Sequence, residues 1–193
     1  THFDDDLKSL FLEEVAYWLF DNEEETFSKN EMMRVTKDII SDYGVSQRAV
    51  FEEIYLYSGI LEKVRQGIYK FYHRSFYEFF LANYFVHNKS ADHSLLWKNQ
   101  NFQIAFFYLS LTDSVKIKEN YIKRNLKNIS LIEPLLIECK IEDLSLINRY
   151  FYIKKNQLLK NERYYQTIGS IGEKYDFIRP KIRKFFFESL NHT

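Results

Sequence analysis

One cysteine in 193 residues, Cys139, leaves the chain without the means for an internal disulfide or a cysteine-rich zinc site, so a reducing, cytoplasmic setting is expected. The ordinary use of such a residue is as a small core side chain. Two prolines and five glycines leave few positions suited to tight turns, which disfavours a many-stranded sandwich and favours a mainly helical fold. Long apolar runs are missing as well: those beginning at Val15 and at Ile104 fall far short of the roughly 18 residues a membrane helix needs, so no membrane partner is expected. Residues 1–6 are acidic and lack the basic start and apolar centre of a secretory signal. A start at Thr1 instead of Met is expected of a segment belonging to a longer chain.

Catalytic signatures are equally scarce. No G-x-x-x-x-G-K-[ST] loop occurs to cradle phosphates, and no apolar strand ends in paired acids to hold magnesium. H-E-x-x-H, a G-x-S-x-G elbow and a Cys-His pairing are missing too, so an independent enzyme is not expected and this segment should not hydrolyse ATP alone. The acid groups Asp4–Asp6 and Glu23–Glu25 do not make a metal site on this reading, because adjacent carboxylates diverge on a helix and mark a solvated face.

What the chain has in quantity is aromatics: 18 Phe and 15 Tyr, so that a single aromatic carries little information. It also has charge segregation behind a net charge of zero. Residues 1–92 carry 10 Lys and Arg against 17 Asp and Glu, leaving 17 against 10 for residues 93–193. The polar stretch from Asn88 to His93 separates the two, which suggests a first domain over 1–90 and a helical one over 91–193.

Along the first domain, Leu7, Leu10, Phe11, Val15, Trp18 and Leu19 recur at helical spacing and predict a helix over about 4–21. Ser28 and Glu31 form an S-x-x-E capping box opening a second helix with Met32, Val35 and Ile39 on its buried stripe. Gly44 ends it, and Ser46 can cap a third helix that stops at Gly59. The period then changes: Ile60–Val64 and Ile68–Tyr72 flank Arg65-Gln66-Gly67 as a β-hairpin. Three helices followed by a two-stranded wing make a winged helix, a variant of the helix-turn-helix. Directly after it, Ser75 and Glu78 make a second S-x-x-E, opening a helix to about His87 whose Phe76, Phe79, Phe80, Leu81, Tyr84 and Phe85 surround the axis and call for burial between layers. Further helices are expected near 94–111, 114–127, 130–140, 142–157, 159–175 and 180–190, with Pro134 and Pro180 in first turns. The triplet Leu-Lys-Asn at 126 and 159 is weak evidence for a repeat.

The most informative stretch runs from Tyr69 to Phe85, YKFYHRSFYEFFLANYF. It resembles the segment that closes the winged helix of NACHT-type STAND NTPases, where a strand leads into F-x-H-x-S-F-x-E-[FY]-x-x-A. Phe71, His73, Ser75, Phe76, Glu78, Phe79 and Ala82 match at that spacing, and Asn83 stands where Ala is frequent. The resemblance covers about residues 5–90. It implies the regulatory end of a signalling NTPase, in which the winged helix folds back onto an upstream nucleotide-binding domain of the same chain and holds it in an ADP-bound resting state. It further implies that the parent binds ATP and ADP, that His73 reaches the ADP phosphates, and that the parent self-assembles on activation. Ser75 and Glu78, read as a cap, set the helix direction and thereby the position of His73. Proteins of this kind often act in bacterial antiviral defence, and the Lys-, Asn-, Ile- and Phe-rich usage suits an AT-rich microbe.

The residues themselves allow two roles for His73: an imidazole N–H beside a helix N-terminus can hold a phosphate, or it can hydrogen-bond the backbone at the strand–helix corner. Arg74 can add a phosphate contact or remain solvated. A winged helix can also read DNA, with the helix from Ser46 to Tyr57 in the groove, but Glu52 and Glu53 beside Gln47 and Arg48, in an acidic domain, argue against nucleic acid. A third alternative is a helical interaction scaffold, with Lys116, Lys118, Lys123, Arg124 and Lys127, or Arg179, Lys181, Arg183 and Lys184, as basic faces.

Overall fold

The computed structural model describes residues 3–97 and 101–125. Over the described residues the fold is mainly helical with one small antiparallel sheet, as the sequence predicts. One compact unit ends at Leu111 and a second begins at Thr112.

Helix α1 (Asp5–Asp21) opens on Asp4, whose carboxylate accepts from the N–H of Asp6 at 3.2 Å, and carries Asp5 and Asp6 in its first turn, where the helix dipole favours negative charge. Its buried stripe is Leu7, Phe11, Leu12, Val15, Ala16 and Leu19; Leu10 and Trp18, expected on it, are only half-buried. The helix closes in a Schellman arrangement, Glu23 N–H to Phe20 O at 3.3 Å and Glu24 N–H to Leu19 O at 2.9 Å. Glu23 therefore takes φ 56°, a left-handed position where glycine is usual.

Strand β1 (Phe27–Ser28) follows, with Phe27 buried. Its two residues are too few to show an alternation, and the sheet has three strands where the sequence showed two. Helix α2 (Lys29–Val35) has the capping box its sequence predicts: Ser28 N–H donates to Glu31 Oε2 at 2.6 Å, and Glu31 N–H to Ser28 Oγ at 3.2 Å. The helix does not run on to Gly44. It breaks at Thr36, and α3 (Lys37–Asp42) begins anew, with Ile40 and not Ile39 fully buried. Neither proline nor glycine causes the break. The buried Thr36 hydroxyl bonds back to Met32 O at 3.0 Å, and the Gln47 amide donates to Met33 O at 2.7 Å, so a side chain from the next helix satisfies a carbonyl at the break.

Helix α4 (Gln47–Glu53) continues as a π-helical turn, Ile54–Ser58, that stops at the left-handed Gly59. Ser46 occupies the position before α4, but its side chain makes no cap bond. Strands β2 (Leu61–Arg65) and β3 (Ile68–Phe71) then pair in register Leu61↔Phe71 and Lys63↔Tyr69, with a bulge between Lys63 and Arg65. The sheet order is β1-β3-β2, and the element order is that of a winged helix.

Helix α5 (Arg74–His87) packs on α1 and on α6 (Phe102–Leu111), within the first unit. Phe80, Leu81, Ala82, Tyr84 and Phe85 are buried there, in keeping with a helix that is apolar around its axis, while Phe76 in the first turn stays 38% exposed. Residues 88–92 join α5 to a 3₁₀ turn, His93–Trp97, and lie inside this unit. Helix α7 (Val115–Asn125) belongs to the second unit; Lys116 and Arg124 on it are exposed and Lys118 is half-buried. The helices expected from 130 onward, Pro134, Cys139, Pro180, Lys127, the basic group 179–184 and both Leu-Lys-Asn triplets lie outside the described residues.

Candidate functional site at the wing–helix corner

Strand β3 ends on the buried Phe71, and the N–H of Tyr72 donates to Ile60 O at 2.8 Å, fixing the corner to the base of the wing. The chain then turns outward. Tyr72 is 60% exposed, and His73, with φ −121° and ψ 137°, is the residue immediately before α5. Its ring meets those of Tyr72 and Phe76 edge-on, at centroid distances of 5.9 and 6.4 Å. Its carbonyl accepts from Phe76 N–H at 3.0 Å, and its side chain makes no cap bond, so the imidazole is exposed beside first-turn amides that it does not cap.

The second S-x-x-E box does not form. Because α5 opens two residues earlier than the pattern implies, Ser75 sits in the second helical position, exposed, and Glu78 lies five residues past the cap, out of reach of the His73 amide. Glu78 is instead nearly buried and accepts from Arg74 Nε at 2.9 Å. Arg74 is thereby drawn along the helix and held one turn on. Of the two supporting residues read from the sequence, Glu78 orders Arg74 and not the cap, and Ser75 is a surface residue beside His73.

Adjacent to this corner is a cleft of about 860 Å³, whose walls include Glu23, Glu24, Glu25, Lys70, Tyr72 and Tyr77. The wall also holds Asp21 and Arg74; Lys70 is paired with Glu62 at 2.8 Å and Arg74 with Glu78 at 2.9 Å, so the wall is acidic in balance. Burial pushes the Tyr77 hydroxyl up to about 12, against the opposing effect of the Arg74 charge. His73 is exposed and is not on the cleft wall, although its neighbours Tyr72 and Arg74 are. Among the described residues no three His, Cys, Asp or Glu side chains gather in a way that could hold a metal ion, and no helix is long and apolar enough to cross a membrane.

Sequence reasoning missed two polar clusters behind the corner. Glu13, only 2% exposed in the apolar stripe of α1, accepts from Ser9 Oγ at 2.8 Å and lies 2.9 Å from His87 Nδ1. The signal was present: an acid flanked by Leu12 and Val15 on a buried stripe needs a partner. Beside it Tyr17 stacks on Tyr84 at 4.1 Å, and burial pushes the Tyr84 hydroxyl up to about 12. The second cluster centres on His93, which lies between two backbone carbonyls. On α4, Gln47 is spent on Met33 O and Arg48 is paired with Glu52 at 2.7 Å. Comparison of the chain with protein-family models, with curated proteins and with solved structures finds no match.

Proposed function

We propose that this chain is the regulatory winged-helix segment, with following helices, of a NACHT-type STAND signalling NTPase. It acts in the cytoplasm by holding an upstream nucleotide-binding domain in its ADP-bound resting state and linking that domain to a helical sensor region, in a role such as antiviral defence. The observation that carries the reading is His73: an exposed imidazole at the mouth of a 14-residue helix, on a corner whose backbone is pinned to the wing by the Tyr72–Ile60 bond. Such a ring can donate to an anion presented by a partner domain without any rearrangement of the segment that bears it. Helix N-termini add positive potential to the same spot. The segment supplies no phosphate-binding loop of its own, so ATP chemistry belongs to the parent.

DNA reading is the weaker alternative because of what α4 does with its side chains. Gln47 and Arg48, the two groups suited to base edges, are both engaged within the fold, and Glu52 faces the same helix surface.

If His73 donates to the ADP phosphates only in the closed form, it stabilises that form alone. A hydrogen bond to a charged group contributes about 1.5–3 kcal/mol, so His73→Ala in the full-length protein is expected to raise the open-to-closed ratio by roughly tenfold to a hundredfold. Faster ADP release and assembly without a trigger are the readouts. Unchanged ADP retention and unchanged assembly would leave His73 as a corner residue only.

A further inference from the structure

The last carbonyls of a helix lack intrahelical partners and must find others. At the end of α5, Tyr84 O accepts from the N–H of Asn88 at 2.8 Å, and Phe85 O faces His93 Nε2 at 2.8 Å. The other ring nitrogen of His93, Nδ1, lies 2.7 Å from Ala91 O. Both partners are carbonyl oxygens, which can only accept. A neutral imidazole carries one N–H and one lone pair, in either tautomer, so it can serve one of them; the doubly protonated ring serves both. The ring is held at this point by Phe85 of α5 and Tyr108 of α6, each at 5.6 Å between centroids, and it sits at a helix C-terminus, where positive charge is favourable.

We propose that His93 is a proton-operated latch: with both ring nitrogens protonated it fastens the 88–92 connection to the last turn of α5, and on losing one proton it releases one of the two carbonyls. The latch is closed at the acid end of its titration and opens as pH rises. The charged and titratable groups around this point are Lys89 and Asp92 on the connection itself, Tyr84 and His87 on α5, Glu13, Glu14, Tyr17 and Asp21 on α1, and Tyr108 on α6. His87 is the one other histidine among them, and it is turned to Glu13, so it must be separated from His93 by mutation. Because the connection joins α5 to the 3₁₀ turn and α6, its release loosens the junction that follows the wing–helix corner.

The test is amide hydrogen exchange on the 193-residue chain, corrected for intrinsic rates, across about pH 5 to 8, where histidine changes charge. The amides of Asn88 and Ala91 report on the connection. In the unaltered chain their protection is expected to fall roughly tenfold as pH rises, the scale of one lost hydrogen bond to a charged group. His93→Gln, whose amide donates without titrating, should give protection independent of pH, and His87→Gln should keep the dependence. Imidazole nitrogen NMR gives a reading that does not depend on a variant folding: both His93 nitrogens should carry protons at the acid end and one at the other. Protection flat in the unaltered chain, the same pH dependence in His93→Gln, or a single N–H on His93 throughout would overturn the proposal.

Discussion

The helices α2 and α5 carry the same S-x-x-E pattern just after a strand, and only one of them uses it. At α2, the serine ends β1 directly, so Ser28 is the cap residue and Glu31 reaches back to it. At α5, two residues intervene between Phe71 and Arg74; the backbone enters the helix at His73, and Ser75 arrives two residues late to cap. The pattern offers a cap, and the strand before it decides whether the offer is taken. The two helices also differ in what holds them. The seven residues of α2 bury one side chain completely, Met32, whereas α5 buries six over 14 residues and can dispense with a side-chain cap.

The largest expected effect tests that difference in anchoring. Phe85, 1% exposed and ringed by Tyr17, Phe20 and His93, should cost about 3–5 kcal/mol on replacement by alanine, since the contacts are lost and a cavity is left between α1 and α5. Phe76→Ala, on the same helix but at its exposed first turn, should cost about 1 kcal/mol or less. Equal losses in denaturant midpoint at unchanged m would mean that α5 is buried along its whole length, and the exposed face around His73 would not exist.

Next in size is the cap of α2. Ser28→Ala should cost about 1 kcal/mol, because a short helix has little else to offset an uncapped amide. The box also titrates: bonds from the Ser28 backbone N–H and hydroxyl hold the Glu31 carboxyl below the usual carboxylate range. A lowered folded value means that its stabilisation is present above the unfolded value of about 4.3 and is lost as pH falls through the folded value. Glu31→Gln keeps an accepting oxygen and loses the titration, so stability should fall less steeply on acidification than in the unaltered chain.

Much of the fold was legible because its signals were local. The stripe from Leu7 to Leu19, the Gly67 turn between two β-prone runs and the all-round apolar α5 each follow from spacing alone. What escaped was decided across the chain. The break at Thr36 depends on Gln47, eleven residues on; β1 is a strand only because Ser28 and Phe27 find Ile68 and Tyr69; and the cap at 75 failed because the strand before it ended early. At the candidate site the place of His73 between a strand end and a helix N-terminus was legible, while the Arg74–Glu78 pair that took Glu78 away from the cap was not.

The smallest effect is the one that bears most closely on His73. If Ser75 capped α5 as Ser28 caps α2, Ser75→Ala would cost about 1 kcal/mol. In the second helical position, exposed, the hydroxyl caps nothing, and alanine is the better helix former by a few tenths of a kcal/mol. Ser75→Ala is therefore expected to change stability by no more than about 0.5 kcal/mol, with any change on the stabilising side. The two sites then predict opposite signs for the same substitution, which urea midpoints of Ser28→Ala and Ser75→Ala measured side by side can resolve. A loss at Ser75 matching that at Ser28 would show that α5 opens at residue 75. His73 would then lie two residues before the helix instead of at its mouth, separated from the first-turn amides, and the reading of the corner as an anion-facing site would lose its geometric support.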